Sequence, residues 1–509
     1  MLALAVVILL VGVIVAVVTR DGGDDDATTA AGDRPGSSSG DGDTDGGAGV
    51  TTSTTEAPLP PYEGWVNPAS SGRPWGEEVD GLLTFRGNPT RSWYGKGPVP
   101  KDPEVLWSYP GESGGMCGDS SVNGEVTTWC GTGWTGQPSV WVQDGRTHVA
   151  FGAYDKAVHV VDGETGEDIL TPFPTGDIIK GSVTIDPDGF PLLYSGSRDN
   201  SYHVLALDRG EAMEELWSLS ADAVSPTKWN NDWDGAGLVI DDYLFEGGEN
   251  SQFHIVKLNR SKGADGKVAV APELVFNTPG WDDELLNAIG DQEVSIENSV
   301  AISGNTVYFA NSGGLVQGWD ITGLAEGQTP QRTFRFWTGD DTDATIVIDG
   351  EGMLYVASEY ERGNEQARTN GQLMKLDPTK PDAPLVWKVD DHDTLPSGMW
   401  ATPAIHDGMV YVSTDGGRFL GVDQETGEVK WEKKLQGPTW QSPVVVDDVL
   451  IEGDCNGVLH AYDVSEPGKD PPELWSIELG GCIESTPAVW NGRIYVGTRA
   501  GRFWAIGDR

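Results

Sequence analysis

The run Leu420-Gly-Val-Asp423-Gln-Glu-Thr-Gly427-Glu-Val-Lys-Trp431 holds the fold of this chain in miniature. An apolar strand ends in Asp, a Glu-Thr-Gly turn reverses the chain, and a second strand ends in Trp. Asp and Thr side chains can satisfy a turn's own N–H groups, and Gly supplies the left-handed residue it needs. Strands ending in Asp or Asn recur at Asp162, Asp208, Asn259, Asp320, Asp377, Asp463 and Asp508, at intervals of 40 to 61 residues. Each unit repeats one grammar. A strand like Thr486-Pro-Ala-Val489 is followed by a polar turn, a strand like Ile494-Tyr-Val-Gly497, a Gly or Asn hairpin, and the strand ending in Asp. In several units a fourth strand carries Trp217, Trp337, Trp387, Trp431 or Trp475. Four antiparallel strands at this interval describe a β-propeller blade.

First strands start at Pro138, Val183, Leu238, Val300, Ile346, Pro403, Pro443 and Pro487, which gives eight units. The eighth stops one strand short. Upstream, Glu104-Val-Leu-Trp107-Ser-Tyr-Pro matches Glu473-Leu-Trp475-Ser-Ile-Glu and has no unit of its own. The expected fold is all-β: an eight-bladed β-propeller of four-stranded antiparallel blades over 104–509, closed by that N-terminal strand, so that no sheet edge at the closure is left free. Residues 62–103 are expected as a lead-in packed on the propeller.

Of the 509 residues, 33 are Lys or Arg and 79 are Asp or Glu, for a net charge of −46. Such a surface repels phosphate, which excludes nucleic-acid binding by charge neutralisation and loose adhesion to anionic lipid. The 69 Gly, 31 Pro and 20 Trp suit a β protein with many tight turns. Leu2 to Val18 is an unbroken apolar run, the short end of a membrane span, closed by Thr19 and Arg20. A cleaved signal peptide is the rival reading, but no small-residue cleavage pattern ends the run. Residues 1–20 are therefore expected as a transmembrane helix that anchors the chain in the cell membrane, single-pass, with the propeller on the extracytoplasmic side. Residues 21–61 are Gly, Asp, Ser and Thr with little that could pack, and are expected as a disordered acidic linker.

The Asp-x-x-Thr-Gly-x-x-x-Trp pattern of Asp423 to Trp431 resembles the repeat of quinoprotein-like (PQQ-repeat) propellers. Phe85-Arg-Gly-Asn-Pro-Thr-Arg91, followed by Pro98-Val-Pro and Trp107, looks like the lead-in to many of them. The resemblance covers roughly Leu82 to Arg509. The superfamily includes PQQ alcohol dehydrogenases and the propeller lipoprotein that scaffolds outer-membrane assembly. It implies that Trp107, Trp217, Trp387, Trp431 and Trp475 dock between blades. The family's dehydrogenases stack the quinone on a vicinal Cys-Cys disulfide and hold Ca²⁺ with carboxylates and an amide. This chain has Cys117, Cys130, Cys455 and Cys482, none adjacent, and no haem-attaching motif. PQQ is therefore disfavoured, while Ca²⁺ stays open as a cofactor.

An exported chain with four cysteines should hold disulfides. Loops joining strands two and three share a propeller face with loops joining successive blades. Cys455 and Cys482 fall in two such loops, and Cys117 and Cys130 lie together before the first full blade, so the expected pairs are Cys117–Cys130 and Cys455–Cys482. On this same face, the residues before each first strand rim the channel as a polar bowl. Lys180, Asp232, Asp234, Asn298, Trp400 and Trp440 are the candidate ligand-binding residues there, and Glu297, Asp343 and Glu484 the candidate metal ligands. Converging carboxylates suit a hard cation, and Trp beside them suits a stacked polar ligand. Asp and Asn also favour plain solvated turns, which is the competing account of the rim.

The leading functional reading is a membrane-anchored, extracytoplasmic binding or scaffold module for a protein or glycan partner at the cell envelope. A PQQ/Ca-dependent dehydrogenase is the alternative from the redox class. A carbohydrate-active enzyme using carboxylates such as Glu297 and Glu484 is the third. No catalytic residue is assigned.

Overall fold

The computed structural model describes residues 58–509, apart from 77, 112, 113, 123 and 135. The anchor expected at 1–20 and nearly all of the linker lie outside the described residues. Among the described residues no helix is long and apolar enough to cross a membrane.

Eight four-stranded antiparallel blades follow one another along the chain, and the lead-in strands Gly81–Leu82 and Gly95–Lys96 add a fifth strand at the inner edge of the first and last, the second of them parallel. The blades' own first strands are Ser139–Gln143, Thr184–Ile185, Leu238–Ile240, Ala301–Ser303, Val347–Ile348, Ala404–His406, Val444–Val446 and Ala488–Trp490, in blades 1 to 8. Blade 8 takes its outer strand from Glu104–Tyr109, which pairs antiparallel with Arg502–Gly507 in the register Val105↔Ile506 and Trp107↔Ala505. The Asp508 carboxylate seals the junction by accepting from the backbone N–H groups of Lys101 and Asp102, at 2.9 and 2.8 Å. The sequence expectation of eight blades closed by an N-terminal strand is met.

In every blade the outer strand pair carries a register shift, at Val204/Leu205, Ile255/Val256 and Gly421/Val422 for example. A bulge there adds local twist where the blade fans outward. Apolar residues alternate along the strands and meet between neighbouring blades. One core cluster joins Leu82, Val140, Phe151, Trp490, Tyr495 and Phe503 of blades 8 and 1, and others join each later pair.

The Asp-x-x-Thr-Gly-x-x-x-Trp pattern now has a physical meaning. Asp423 accepts from the N–H groups of Glu425 and Thr426, at 3.2 and 2.9 Å, and its carbonyl accepts from Gly427 N–H at 2.9 Å. Gly427 sits at φ +75°, and a Cβ there would lie 2.7 Å from the indole of Trp387, which comes from the preceding blade. That indole donates from Nε1 to the carbonyl of Gln424 at 3.1 Å. Blade 1 repeats the device: Trp107 packs on Gly166 and donates to the Gly163 carbonyl at 3.1 Å. Each such Trp staples its own blade to the turn of the next.

Both expected disulfides are present. Cys117–Cys130 clips the hairpin Cys117–Val122/Glu125–Cys130, and Cys455–Cys482 ties a loop of blade 7 to the start of blade 8.

Candidate functional site

The channel is filled by the chain itself. Residues 82–94 of the lead-in cross its centre and pair with the blades' first strands. Ile185, Ile302 and Ile348 donate their backbone N–H groups to the carbonyls of Leu83, Pro89 and Thr90, at 2.7, 2.8 and 2.9 Å. Two arginines of this segment are completely buried. Arg86 donates to the carbonyls of Pro443 and Pro403 at 2.6 and 2.5 Å, and its guanidinium lies 4.4 Å from the Tyr94 ring centroid. Arg91 donates to Val300 O at 2.8 Å, Ala236 O at 2.7 Å and Phe85 O at 2.8 Å. The two side chains thus link blades 3, 4, 6 and 7 at the hub. Burial lowers the pKa of Arg91 to about 9, with Glu246 nearby opposing the shift, and Arg86 is lowered likewise with Glu452 opposing. Sequence reading placed Arg86 and Arg91 in a family lead-in but not at the centre of the ring. The available signal was two arginines within six residues of a Gly-Asn-Pro turn in a chain with few bases.

Above this plug the first-strand starts form the bowl. Lys180 is its centre on one side, with Nζ 2.5 Å from Asp234, 2.9 Å from Glu249 and 4.0 Å from Asp232. Burial works against its charge, but Asp234, Glu249, Glu297 and Asp232 outweigh it and hold Lys180 protonated well above the usual lysine range. Arg198 also pairs with Asp232. Burial and the neighbouring Glu249 still push Asp232 up to about 7.

Asp234, Glu249 and Glu297 bring one oxygen each within 4.8 Å of one another, and so do Asp341, Asp343 and Glu359. Ser312 links the two groups. Its hydroxyl lies 3.4 Å from Glu297 and 3.1 Å from Asp343. Burial, then mutual repulsion, raises Glu297, Asp341 and Glu359 well above the usual carboxylate range.

The candidate residues divide accordingly. Lys180, Asp232, Asp234, Glu297 and Asp343 converge in one acidic basin. Glu484 does not join either carboxylate group: Arg499 Nη1 holds both its oxygens at 3.1 Å. Asn298 is consumed by the backbone, its Nδ2 donating to Ala310 O and Thr342 O and its Oδ1 accepting from Ala310 N–H. Trp400 and Trp440 rest on each other with centroids 4.9 Å apart, and Trp440 Nε1 donates to Asp415. Glu249 and Glu359, in the loops joining strands two and three, complete the two carboxylate groups. They were legible only as polar hairpin residues, because the approach of these loops to the rim is set by the blade geometry.

Topology puts the longest insertions on this face, including the Cys117–Cys130 hairpin and the helices Asp283–Ile289 and Glu365–Asn370. Their tips and neighbouring loops expose Val126, Trp229 and Leu395, at 70, 55 and 60%.

The family model described as outer membrane protein assembly factor BamB matches residues 375–470, which include the Asp423–Trp431 repeat. That segment resembles the PQQ-repeat propellers. The outer membrane protein assembly factor BamB of Yersinia pestis is 25% identical over 223 residues, 42% of this propeller's chain. The match spans 50% of that relative's length. Among solved structures, BamB from Moraxella catarrhalis superposes with a TM-score of 0.52 at 16% identity, covering 74% of this chain and 96% of its own. Quinohemoprotein alcohol dehydrogenase from Comamonas testosteroni superposes at 0.53 with 14% identity, over 85% of this chain and 81% of its own. At these identities the structural likeness concerns the fold alone. The disulfides of this propeller join residues 13 and 27 apart in sequence, so neither is the vicinal-cysteine pair on which the dehydrogenases of the resembling family stack a quinone.

Proposed function

We propose that this chain is a membrane-anchored, extracytoplasmic PQQ-repeat propeller that binds a protein partner at the cell envelope through its bowl face. On this reading residues 1–20 are the anchor, 21–61 a flexible acidic linker and 62–103 the lead-in, with the propeller over 104–509 as the binding body. The observation that carries it is the asymmetry of the disc. Long insertions, exposed apolar tips and a basin of carboxylates share one face, whereas ordinary blade connections need none of them. Exposed apolar residues beside a strongly acidic surface suit a partner that offers apolar contacts and basic side chains. The likeness to BamB, an assembly factor by its description, points the same way.

The two enzymatic readings receive less support. The residues present do not fit a bound quinone, so no redox step is derived. Glu297 and Glu484, the pair considered for carbohydrate chemistry, are separated in role, one in the acidic basin and the other bound by Arg499.

The test uses envelopes solubilised gently from cells expressing the full chain. The 54.4 kDa chain should migrate in a larger complex. Changing Trp229 and Leu395 together to Asp should release it, and changing the exposed outer-strand residues Val386 and Val429 to Asp should not. Migration as a free monomer overturns the reading, as does equal release by both pairs. Recovery of the chain from the soluble fraction, beginning within residues 20–40, overturns the anchor.

A further inference from the structure

Two neighbouring trios of carboxylates face the bowl, and the chain treats them differently. The trio Asp234, Glu249 and Glu297 has its own cation, because the Lys180 ammonium lies within 2.9 Å of both Asp234 and Glu249. The trio Asp341, Asp343 and Glu359 has only the Arg362 guanidinium at its edge, 4.0 Å from Asp341, and no base pairs with Asp343 or Glu359 among the described residues. Glu359 is 2% exposed, and the charged groups around its carboxylate are Asp341, Asp343, Glu361 and Glu297, all acids. Among the described residues no base forms an ion pair with it. Asp341 Oδ1 is buried without a hydrogen-bond partner. The nearest base, Arg362, stands 4.0 Å from the other oxygen of Asp341 and is drawn away by Asp340 at 3.4 Å and Asp291 at 3.1 Å.

The backbone holds this trio in place. Glu359 N–H donates to Asp341 O at 2.8 Å, Ser358 Oγ donates to the same carbonyl at 2.8 Å, and Glu359 pairs with Gly398 across a two-stranded ribbon. Two segments, 341–343 and 358–359, therefore bring the three carboxylates together, and the strand at Gly398 braces the second. Acids this close must be neutralised, either by taking up protons or by a cation that joins them.

We propose that Asp341, Asp343 and Glu359 form a binding site for a hard divalent cation, with Ca²⁺ as the ion whose flexible, all-oxygen coordination suits three converging carboxylates. Water would supply the remaining ligands. The ion would do for this trio what the Lys180 ammonium does for its neighbour, and would fix the loops around Glu359 and Gly398 beneath the bowl rim. The site lies within the proposed docking face but needs no partner to fill it.

The experiment is isothermal titration of the chelator-treated full chain with CaCl₂, with MgCl₂ in parallel, and thermal unfolding at each CaCl₂ concentration. One ion per chain should bind, Tm should rise and saturate as a ligand of the folded state requires, and Mg²⁺ should bind more weakly. Glu359→Gln should weaken Ca²⁺ binding about tenfold or more, because affinity follows the number of charged ligands. Asp234→Asn, in the Lys180 pocket, should leave it unchanged. Far-UV circular dichroism checks each fold, and Asp343→Asn serves if Glu359→Gln does not fold. The absence of saturable Ca²⁺ binding by the parent overturns the proposal, as does an equal loss in Asp234→Asn and Glu359→Gln. Loss of ion binding with the envelope complex intact separates failure of this site from failure of the docking reading.

Discussion

Replacing Arg86 with Met tests whether the lead-in segment is the hub of the ring. Met fills comparable space but removes two charge-assisted hydrogen bonds, to Pro443 O at 2.6 Å and Pro403 O at 2.5 Å. Each such bond contributes about 1.5–3 kcal/mol when one partner is charged. The two carbonyls lie in blades 7 and 6, so both are left without this donor at once. The expected loss is therefore about 3–6 kcal/mol, a large share of the ~5–15 kcal/mol that holds a typical domain folded. The control is Lys96→Met, whose side chain is 45% exposed and pairs at the surface with Asp80, itself 61% exposed. An exposed pair contributes only about 0–1 kcal/mol. Denaturation by guanidinium chloride, followed by tryptophan fluorescence and circular dichroism, reads both variants. A loss for Arg86→Met no larger than that for Lys96→Met would refute the hub.

Three further outcomes follow from the same geometry. Gly427→Val should destabilise by about 2 kcal/mol or more, because φ +75° is strained for a branched residue and its Cβ would meet the Trp387 indole, whereas Gly408→Val, also at positive φ but with open space around it, should lose less on denaturation. Changing Cys455 and Cys482 together to Ser should lower stability by up to about 3–4 kcal/mol, the chain-entropy value for a loop of this length, and the parent treated with reductant should lose a comparable amount. Stability should fall as pH rises through 7. Burial and Glu249 raise Asp232 to about 7, and the carboxylate partners of His203 and His460 raise those imidazoles against burial, so all three bind protons more tightly when folded. A group with a raised folded pKa stabilises fully below its unfolded pKa and loses that contribution above the folded one. Tm measured from pH 5 to 8 should therefore decline, and Asp232→Asn should flatten part of the decline.

The architecture was legible because repetition multiplies a weak signal. One Glu-Thr-Gly turn is only a turn, but eight strands ending in Asp or Asn, with Trp at matching offsets, leave one arrangement that stacks them. The closing strand was readable as the unmatched copy at Glu104–Tyr109, and the disulfides followed from which loops share a face. The bowl was legible as a location, and less so as a set of partners. Glu484 and Arg499 lie 15 residues apart on opposite sides of a hairpin, and only the fold shows that they neutralise each other. Asn298 reads as a ligand amide in sequence, yet its position beside Ala310 and Thr342 makes it a backbone clamp. Glu249 and Glu359 became important through the same long-range geometry. The plugged channel was the least visible feature, because nothing in Phe85–Arg91 says that its carbonyls and guanidiniums will meet the first strands of blades hundreds of residues away.

The working face is tested most directly by photocrosslinking in living cells, with a photoreactive amino acid placed singly at Val126, Trp229 or Leu395 on the bowl face and at Lys262 or Val429 away from it. Crosslinks from the bowl-face positions to one discrete protein, absent from the other two positions, are the expected result. Crosslinks to that protein from Lys262 or Val429 alone, or none from any position in cells that hold the chain in its native envelope, would contradict a partner docked on the bowl.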